Sequence, residues 1–229
     1  MKPILLLHGA LGTAKQLEPL AQQLGNFTDV RSLTFYGHGE AAAPAGAYQF
    51  DAFAKNVLQY LDDNEISQAD IFGYSMGGYA ALLFALKHSE RVSKIATLGT
   101  KLVWTPEGSA QEVKMLDADK LEAKVPAFAA QLKALHGEKN WRSVLAATAQ
   151  MMGNLGNEPQ LKNEDYQTLK HEVLLCIGDK DQTAGLEDTV STFRLLPNAQ
   201  LWVLPTTPHP IDRVDVATLA NGLKNFFSA

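Results

Sequence analysis

The sequence predicts an α/β protein with a mostly parallel, doubly wound sheet of about six strands and a helical insertion. Short runs of aliphatic residues recur along the 229 residues, and stretches of helical period separate most of them. Strands that alternate with helices in this way form parallel sheets with both faces covered. A Gly-x-Ser-x-Gly segment also follows one strand and opens a helix, which is the context of a nucleophile turn.

The predicted strands are short and apolar. They cover Pro3–Leu7, Val30–Phe35, Asp70–Tyr74, Val92–Leu98, Val173–Ile177 and Leu201–Leu204. Helical patterns cover Lys15–Leu24, Phe50–Leu61, Met76–Lys87, Leu186–Leu196 and Val214–Phe227. Because crossovers between parallel strands are right-handed, we expect the carboxyl ends of the strands, and the loops after them, along one edge of the sheet.

The alternation changes after the fourth strand, where the next clear strand is delayed. Helical stretches in this segment are interrupted at Pro106, Pro126, Gly137, Gly153 and Pro159. We therefore expect one core domain formed by 1–100 and 171–229, with 101–170 inserted as a helical lid. No internal repeat or low-complexity tract is visible in the sequence.

Apolar residues of the insertion have two possible roles. They either pack the helices onto the core or line an apolar substrate cavity beneath a lid. Trp104, Trp141 and Met151 are the candidates for substrate binding.

The composition narrows the class of protein. A net charge of -5 gives no basic surface for nucleic acid. The single cysteine, Cys176, lies in an apolar run and is expected to be a buried thiol rather than a disulfide partner or metal ligand. The first apolar run is too short for a signal peptide, and no stretch has the roughly 20 apolar residues of a membrane span. We expect a soluble cytoplasmic protein, monomeric or homodimeric, that acts on a small molecule.

Ser75 is the first candidate for a catalytic residue. It lies in the turn Gly73-Tyr74-Ser75-Met76-Gly77, where a strand ends and a helix begins. A serine on so tight a turn has its hydroxyl exposed at the sheet edge, and the glycines at 73 and 77 let neighbouring backbone approach without a Cβ clash.

A serine hydroxyl is a weak nucleophile at neutral pH, so it needs a base and a group that orients the base. His209 is the best base candidate because it follows the last predicted strand and therefore lies at the same edge as Ser75. The acid is expected from the exit of the preceding strand, where both Asp179 and Asp181 occur. Either could instead be a turn former.

Taken together, these segments resemble the α/β-hydrolase superfamily. His8-Gly9-Ala10-Leu11-Gly12 is similar to its oxyanion turn, and Tyr36-Gly37-His38-Gly39 to its Pro-Gly-His-Gly turn. The resemblance implies Asp181 as the acid and the backbone N–H groups of Ala10 and Met76 as oxyanion donors. It also implies structural roles for His8 and His38.

Two positions depart from the pattern of that superfamily. Thr34 stands where an aspartate is common, which leaves the chemistry untouched. Pro208 stands where a glycine often precedes the catalytic histidine, and Pro210 follows it. Two prolines stiffen this loop and therefore bear on the pose of His209.

The resemblance implies a serine hydrolase that cleaves a small or medium carboxylic ester or thioester through an acyl-Ser75 intermediate. One alternative is a carbon–carbon bond hydrolase or lyase on the same scaffold, as in members that act on ring-cleavage products or in menaquinone synthesis. The resemblance to the menaquinone synthases is weaker, because Tyr79 stands in the early helix region where they tend to carry an arginine that holds substrate carboxylates. Another is a receptor that keeps the fold without catalysis. No cofactor or metal is expected, because the glycine spacing does not fit dinucleotide binding and metal ligands are not clustered.

Overall fold

The computed structural model describes residues 2–46 and 48–229. Within these residues, six parallel strands form one sheet in the order β2-β1-β3-β4-β5-β6. The strands are β1 (Ile4–Leu7), β2 (Val30–Leu33), β3 (Ala69–Tyr74), β4 (Val92–Leu98), β5 (Glu172–Gly178) and β6 (Ala199–Leu204). This sheet confirms the predicted fold class.

The helices before β4 and after β5 cover the sheet. They are α1 (Glu18–Gly25), α2 (Phe50–Asp63), α3 (Met76–Lys87), α9 (Leu186–Phe193) and α10 (Val216–Ser228). Between β4 and β5 the chain forms α4 (Pro106–Met115), α5 (Ala118–Lys124), α6 (Pro126–His136), α7 (Trp141–Asn157) and α8 (Asn163–Thr168). We refer to α4–α8 as the cap helices. In the described part of the chain, no helix is long and apolar enough to cross a membrane.

Alternating residues of each strand face opposite layers. Leu5, Leu7 and Ile71 pack with α2 and α3, whereas Ile4 and Leu6 pack with α1 and α10. A sheet covered on both faces buries its central strands, which explains the uninterrupted apolar runs of β1 and β5. Cys176 belongs to the second layer and is 1% exposed, as expected of a small buried thiol.

Helix α3 lies at the centre of the molecule. All residues from Met76 to Ala85 are buried, so the helix is apolar around its whole circumference. One side contacts the sheet, and cap residues such as Leu155 and Leu161 join the same apolar cluster. The helix that begins after Ser75 is therefore fixed by packing on both sides.

Most element boundaries differ from the sequence prediction by one to three residues, and three differences have a clear structural reason. Strand β2 ends at Leu33 rather than Phe35, because the Phe35 N–H donates to His8 Nε2 (3.0 Å) instead of to a strand. The predicted helix over Lys15–Leu24 divides into a short 3-10 turn and α1, which has Pro19 in its first turn. Helix α7 runs through Gly153, so this glycine does not interrupt it.

Candidate active site

Ser75 lies between β3 and α3 in an unusual backbone conformation, with φ 50° and ψ −115°. Its N–H donates to the Leu98 carbonyl (2.8 Å), and its carbonyl accepts from the Gly78 N–H (3.0 Å) and the Thr100 hydroxyl (3.1 Å). These bonds hold a conformation that a residue with a side chain rarely adopts.

The glycines around Ser75 are required by close backbone approaches. A Cβ atom at Gly73 would collide with the backbone of Gly77, and one at Gly77 would collide with the Leu7 carbonyl. This confirms the steric role that the sequence predicted for both positions. The turn can therefore press against β1 and the start of α3 only with glycine at these two sites.

The loops after β5 and β6 bring Asp181 and His209 together. His209 Nδ1–H donates to Asp181 Oδ2 over 2.8 Å. The other carboxylate oxygen, Oδ1, accepts from the N–H groups of Thr183 and Ala184, each at 2.9 Å. The Asp181 side chain is 2% exposed and that of His209 is 20% exposed.

The electrostatics of Asp181 favour its ionised form. Burial alone raises the pKa of this carboxyl group, but the hydrogen bond and charge of His209, with the N–H groups of Ala184 and Thr183, outweigh burial and lower the pKa. An ionised Asp181 fixes the proton of His209 on Nδ1. The Nε2 atom is then left as the basic nitrogen.

Asp179 does not contact His209 but ties the two loops together. Its Oδ1 accepts from the Thr207 N–H (3.2 Å), while the Lys180 N–H donates to the Thr207 carbonyl (3.1 Å). The Tyr74 hydroxyl donates to the His209 carbonyl (3.0 Å), and the Tyr74 and His209 ring centroids are 5.5 Å apart. Tyr74 at the end of β3, with Asp179 and Lys180 directly after β5, thus holds the loop that contains the two prolines.

Ser75 occupies the same edge of the sheet as the Asp181–His209 pair. In the described part of the chain, no hydrogen bond joins Ser75 Oγ to His209. Gly99, at the exit of β4, lies behind the pair: a Cβ atom there would stand 2.9 Å from Asp181 Oδ2 and 3.2 Å from His209 Nδ1.

The turn after β1 passes beside Ser75. A Cβ atom on Gly9 would lie 3.4 Å from the Cβ of Ser75. Among the described residues, neither the N–H of Ala10 nor that of Met76 donates to a protein acceptor. Both N–H groups are therefore unpaired within the described part of the chain.

His8 and His38 have structural contacts, as the sequence predicted. His8 is fully buried: its Nδ1–H donates to the Gly9 carbonyl (2.7 Å), and its Nε2 accepts from Phe35. Burial and the neighbouring His38 lower the pKa of His8 to about 3, and burial lowers that of His38 to about 4. Both side chains are neutral at physiological pH.

A cavity of about 30 Å³ adjoins Ser75 beneath the cap helices. Its lining combines core residues with residues from the cap and its connection to β4: Phe50, Ser75, Met76, Tyr79, Lys101, Trp104, Glu112, Met151, Met152 and Thr183. Trp104 and Met151 therefore lie where the sequence predicted substrate contacts. Lys101 and Glu112 were not predicted, because both occur among ordinary polar residues of the insertion.

Trp141 is not among the lining residues of this cavity, which corrects the expectation that it contacts substrate. It is 1% exposed and packs in a separate apolar cluster with Leu11, Leu132 and Leu145. Lys133 and Arg142 lie over its ring, 5.4 Å and 5.0 Å from the centroid. Trp141 begins α7 ten residues before Met151, and its side chain holds α7 against α6.

A second, open groove of about 840 Å³ runs between α2, the end of α3 and the end of α7. Phe50 and Met151 line both this groove and the cavity at Ser75. These two side chains therefore lie between the cavity and the solvent-facing groove.

The family of the chain follows from a match between residues 2–170 and a sequence model of the alpha/beta hydrolase fold. The chain belongs to the alpha/beta hydrolase fold family. The described turn at Ser75 and the order of the sheet agree with that membership.

Similar proteins place this α/β-hydrolase among enzymes of several activities. A probable alcohol acetyltransferase of Cyberlindnera fabianii is 31% identical over 108 residues, which is 46% of this chain. The match spans only 29% of the length of that relative. A 2-hydroxymuconate semialdehyde hydrolase of Pseudomonas putida is 25% identical over 99% of this chain and 87% of its own length.

Solved structures agree with the fold. A 2-hydroxy-6-oxo-6-phenylhexa-2,4-dienoate hydrolase from Rhodococcus sp. strain RHA1 superposes with a TM-score of 0.84 at 18% identity, covering 100% of this chain and 91% of that chain. Similarity at this identity establishes the fold of the α/β-hydrolase chain. One fold supports many reactions, so the residues of the site determine which reaction takes place.

Proposed function

We propose that this α/β-hydrolase cleaves a small or medium carboxylic ester or thioester through an acyl-Ser75 intermediate. Ser75 is the nucleophile, His209 the general base and acid, and Asp181 the group that orients His209. The N–H groups of Ala10 and Met76 are the oxyanion donors. No cofactor takes part in this reaction.

The observation that carries the proposal is the Asp181–His209 hydrogen bond of 2.8 Å at the sheet edge where Ser75 follows β3. A buried carboxylate that holds the Nδ1 proton of a histidine is the arrangement that general-base activation of a serine requires. A loop histidine with no such role would not need an acceptor that is 98% removed from solvent.

In the first half of the reaction, Ser75 Oγ attacks the acyl carbon while His209 Nε2 accepts the hydroxyl proton. The carbonyl oxygen gains negative charge, which the Ala10 and Met76 N–H groups stabilise. Each such donor contributes about 3 kcal/mol to the transition state. His209 then gives its proton to the departing alcohol or thiol, leaving the acyl group on Ser75.

In the second half, His209 Nε2 accepts a proton from water, and the water oxygen attacks the acyl carbon as it loses this proton. The bond to Ser75 Oγ breaks, and His209 returns the proton to that oxygen. The products are the carboxylic acid and the regenerated enzyme. Asp181 stays ionised throughout and stabilises the positive charge on His209.

The proposal is tested with p-nitrophenyl acetate, p-nitrophenyl butyrate and a fluorophosphonate probe. We expect the wild type to turn over at least one ester and to be labelled by the probe. Ser75→Ala should lose both labelling and at least three orders of magnitude of kcat. Ser191→Ala, on the exposed face of α9, is the matched control and should keep both.

The outcomes separate the proposal from its alternatives. Turnover or labelling that persists in Ser75→Ala would remove Ser75 from its assigned role. A folded wild type that neither turns over any acyl substrate nor reacts with the probe would favour the non-catalytic receptor.

Carbon–carbon bond hydrolysis is the second candidate. The observation in its favour is the match to the 2-hydroxymuconate semialdehyde hydrolase over nearly the whole chain. Tyr79 counts only against the related synthase chemistry, because its hydroxyl accepts the Leu161 N–H (2.8 Å) in the packing of the cap and cannot form the bidentate carboxylate clamp of an arginine. Turnover of 2-hydroxymuconate semialdehyde with a kcat/KM above that of every ester would replace the ester proposal with this one.

A further inference from the structure

Two charged side chains line the otherwise largely apolar cavity at Ser75. Lys101 follows β4, and Glu112 lies on cap helix α4. Lys101 Nζ is 3.2 Å from Glu112 Oε1, and the two side chains are 18% and 14% exposed. The pair therefore brings one positive and one negative group to the cavity that also contains the Ser75 side chain.

Stability does not explain this placement. Removing two charges from water costs about as much as their attraction returns, and apolar residues of similar volume often serve equally well or better. The remaining lining includes Trp104, Met151 and Met152, which would pack readily against such replacements. A charged pair at this position in the cavity therefore points to recognition of a polar group on the substrate.

The two members of the pair are held unequally. Lys101 Nζ also donates to the Thr183 carbonyl (3.4 Å) and lies 5.4 Å from the centre of the Trp104 ring. Among the described residues, Lys101 is the only hydrogen-bonding partner of the Glu112 side chain. Lys101 is thus held by several contacts, whereas the Glu112 carboxylate can be replaced by another anionic group beside the Lys101 ammonium group.

The position of Lys101 is also tied to the proposed catalytic residues. Thr183, which accepts a hydrogen bond from Lys101, donates its own N–H to Asp181 Oδ1 (2.9 Å). The ammonium group therefore keeps a set position relative to the loop that orients His209. A group bound to Lys101 would lie at a defined distance from Ser75.

We propose that Lys101 binds a carboxylate at the far end of the acyl group, and that this carboxylate replaces Glu112 as the partner of the ammonium group. The preferred substrates are then monoesters or monothioesters of short dicarboxylic acids. The apolar lining contacts the methylene chain, and Glu112 turns towards solvent. This inference rests on the proposed acyl chemistry at Ser75 and assigns its substrate class.

The test compares p-nitrophenyl monoesters of succinate, glutarate and adipate with the same compounds capped as methyl esters. The rate with Ser75→Ala is subtracted, because the free carboxylates also promote hydrolysis of their own esters. We expect the wild type to prefer at least one carboxylate-terminated ester by about tenfold or more in kcat/KM. The preference is a property of the wild type and does not depend on whether a Lys101 or Glu112 variant folds.

Variants then assign the preference to Lys101. In Lys101→Met the ratio of kcat/KM between the carboxylate-terminated and capped ester should fall close to one, and Lys101→Arg should retain most of it. In Glu112→Gln the ratio should rise, because the competing carboxylate is gone. Lys114→Met removes an exposed lysine of the same helix α4 and should keep the wild-type ratio.

Three results would overturn the inference: a wild type without preference for any carboxylate-terminated ester, a ratio unchanged in Lys101→Met, or a preference for an ammonium-terminated ester that Glu112→Gln abolishes. The last would assign recognition to Glu112 instead. Failure of the underlying chemistry is distinguishable, since capped and uncapped esters would then both lack Ser75-dependent turnover.

Discussion

At the scale of single residues, the molecule concentrates backbone strain at Ser75. A non-glycine residue in a sparsely populated region costs about 1–3 kcal/mol, and the surroundings must impose it. Here the Leu98 carbonyl, the Thr100 hydroxyl and the buried start of α3 do so. The strained turn places the Ser75 side chain at the sheet edge. The same turn leaves the Met76 N–H without a hydrogen-bond acceptor among the described residues.

Asp179 and Asp181 illustrate how two neighbouring carboxylates take different roles. Both accept backbone N–H groups, but Asp181 alone also accepts the His209 ring N–H. The spacing of residues in the sequence leaves the two aspartates equivalent, and resemblance to the superfamily selects Asp181. The contact with His209 supplies a physical reason for that selection.

We predict that Asp181→Asn lowers kcat for ester hydrolysis by about four orders of magnitude, because the amide donates to Nδ1 and leaves the proton on Nε2. Asp179→Asn is the matched control. Its amide oxygen can still accept the Thr207 N–H, so kcat should change less than threefold. Steady-state kinetics on p-nitrophenyl butyrate measure both, and the opposite ranking would transfer the acid role to Asp179.

At the scale of secondary-structure elements, most of the core was predictable because its signals are local. Strand β4 and helix α3 have the predicted bounds, since apolar runs and helical periodicity extend over their whole length. Local signals also mark the starts of α4 and α6 at prolines. The predicted interruption at Gly153 was wrong, because a glycine weakens a helix without ending it when packing supports the helix.

Helices α4 and α7 form a close pair within the cap. A Cβ atom at Gly156 would collide with the Ser109 side chain and approach the Thr105 carbonyl to 3.0 Å. The Ser109 hydroxyl in turn donates to the Met152 carbonyl of α7. Since Glu112 of α4 and Met151 of α7 both line the cavity, the approach at Gly156 also sets the width of the site.

We predict opposite effects of alanine at two glycines of α7. Gly156→Ala should lower the free energy of unfolding by about 1–3 kcal/mol, because the added methyl group separates α4 from α7. Gly153→Ala should raise it by about 0.5–1 kcal/mol, since its Cβ would meet only Val113 Cγ2, at 4.0 Å. Urea unfolding followed by circular dichroism measures both, and equal effects would contradict the proposed close packing.

At the scale of the whole molecule, contacts between cap and core were the part that the sequence could not reveal. Trp141 and Trp104 look alike as isolated aromatic residues of one insertion, yet one packs between cap helices and the other lines the cavity. The Lys101–Glu112 pair joins the exit of β4 to α4. Which helix faces meet depends on tertiary packing, and that information is not carried by periodicity along the chain.

Three histidines connect the cap to the core. His136, the last residue of α6, donates from Nε2 to the Leu11 carbonyl (2.9 Å) and accepts the Gly39 N–H at Nδ1 (2.9 Å). The His38 ring lies 5.0 Å from that of His8 and 6.0 Å from that of His136. Burial lowers the pKa of all three, so the turns after β1 and β2 and the end of α6 meet around neutral imidazoles.

This cluster predicts that the protein loses stability in mild acid. A histidine whose pKa is lower in the folded than in the unfolded state binds its proton preferentially on unfolding, so the free energy of unfolding falls as pH drops below about 6.5. For folded-state pKa values of about 3 for His8 and about 4 for His38, each contributes a loss of about 2 kcal/mol between pH 8 and pH 5. The lowered pKa of Asp181 also stabilises the folded protein, but this stabilisation is lost only at pH values below the range from pH 8 to pH 5.

Urea unfolding at pH 8 and pH 5 measures this loss, and His38→Asn assigns it. The asparagine amide can replace Nδ1–H as the donor to the Tyr36 carbonyl (3.1 Å) but cannot take up a proton. His38 Nε2 is buried without a hydrogen-bond partner among the described residues, so its removal sacrifices no bond. The fall in unfolding free energy between the two pH values should therefore be about 2 kcal/mol smaller in His38→Asn than in the wild type. Equal falls in both proteins would mean that His38 is not a source of the acid sensitivity.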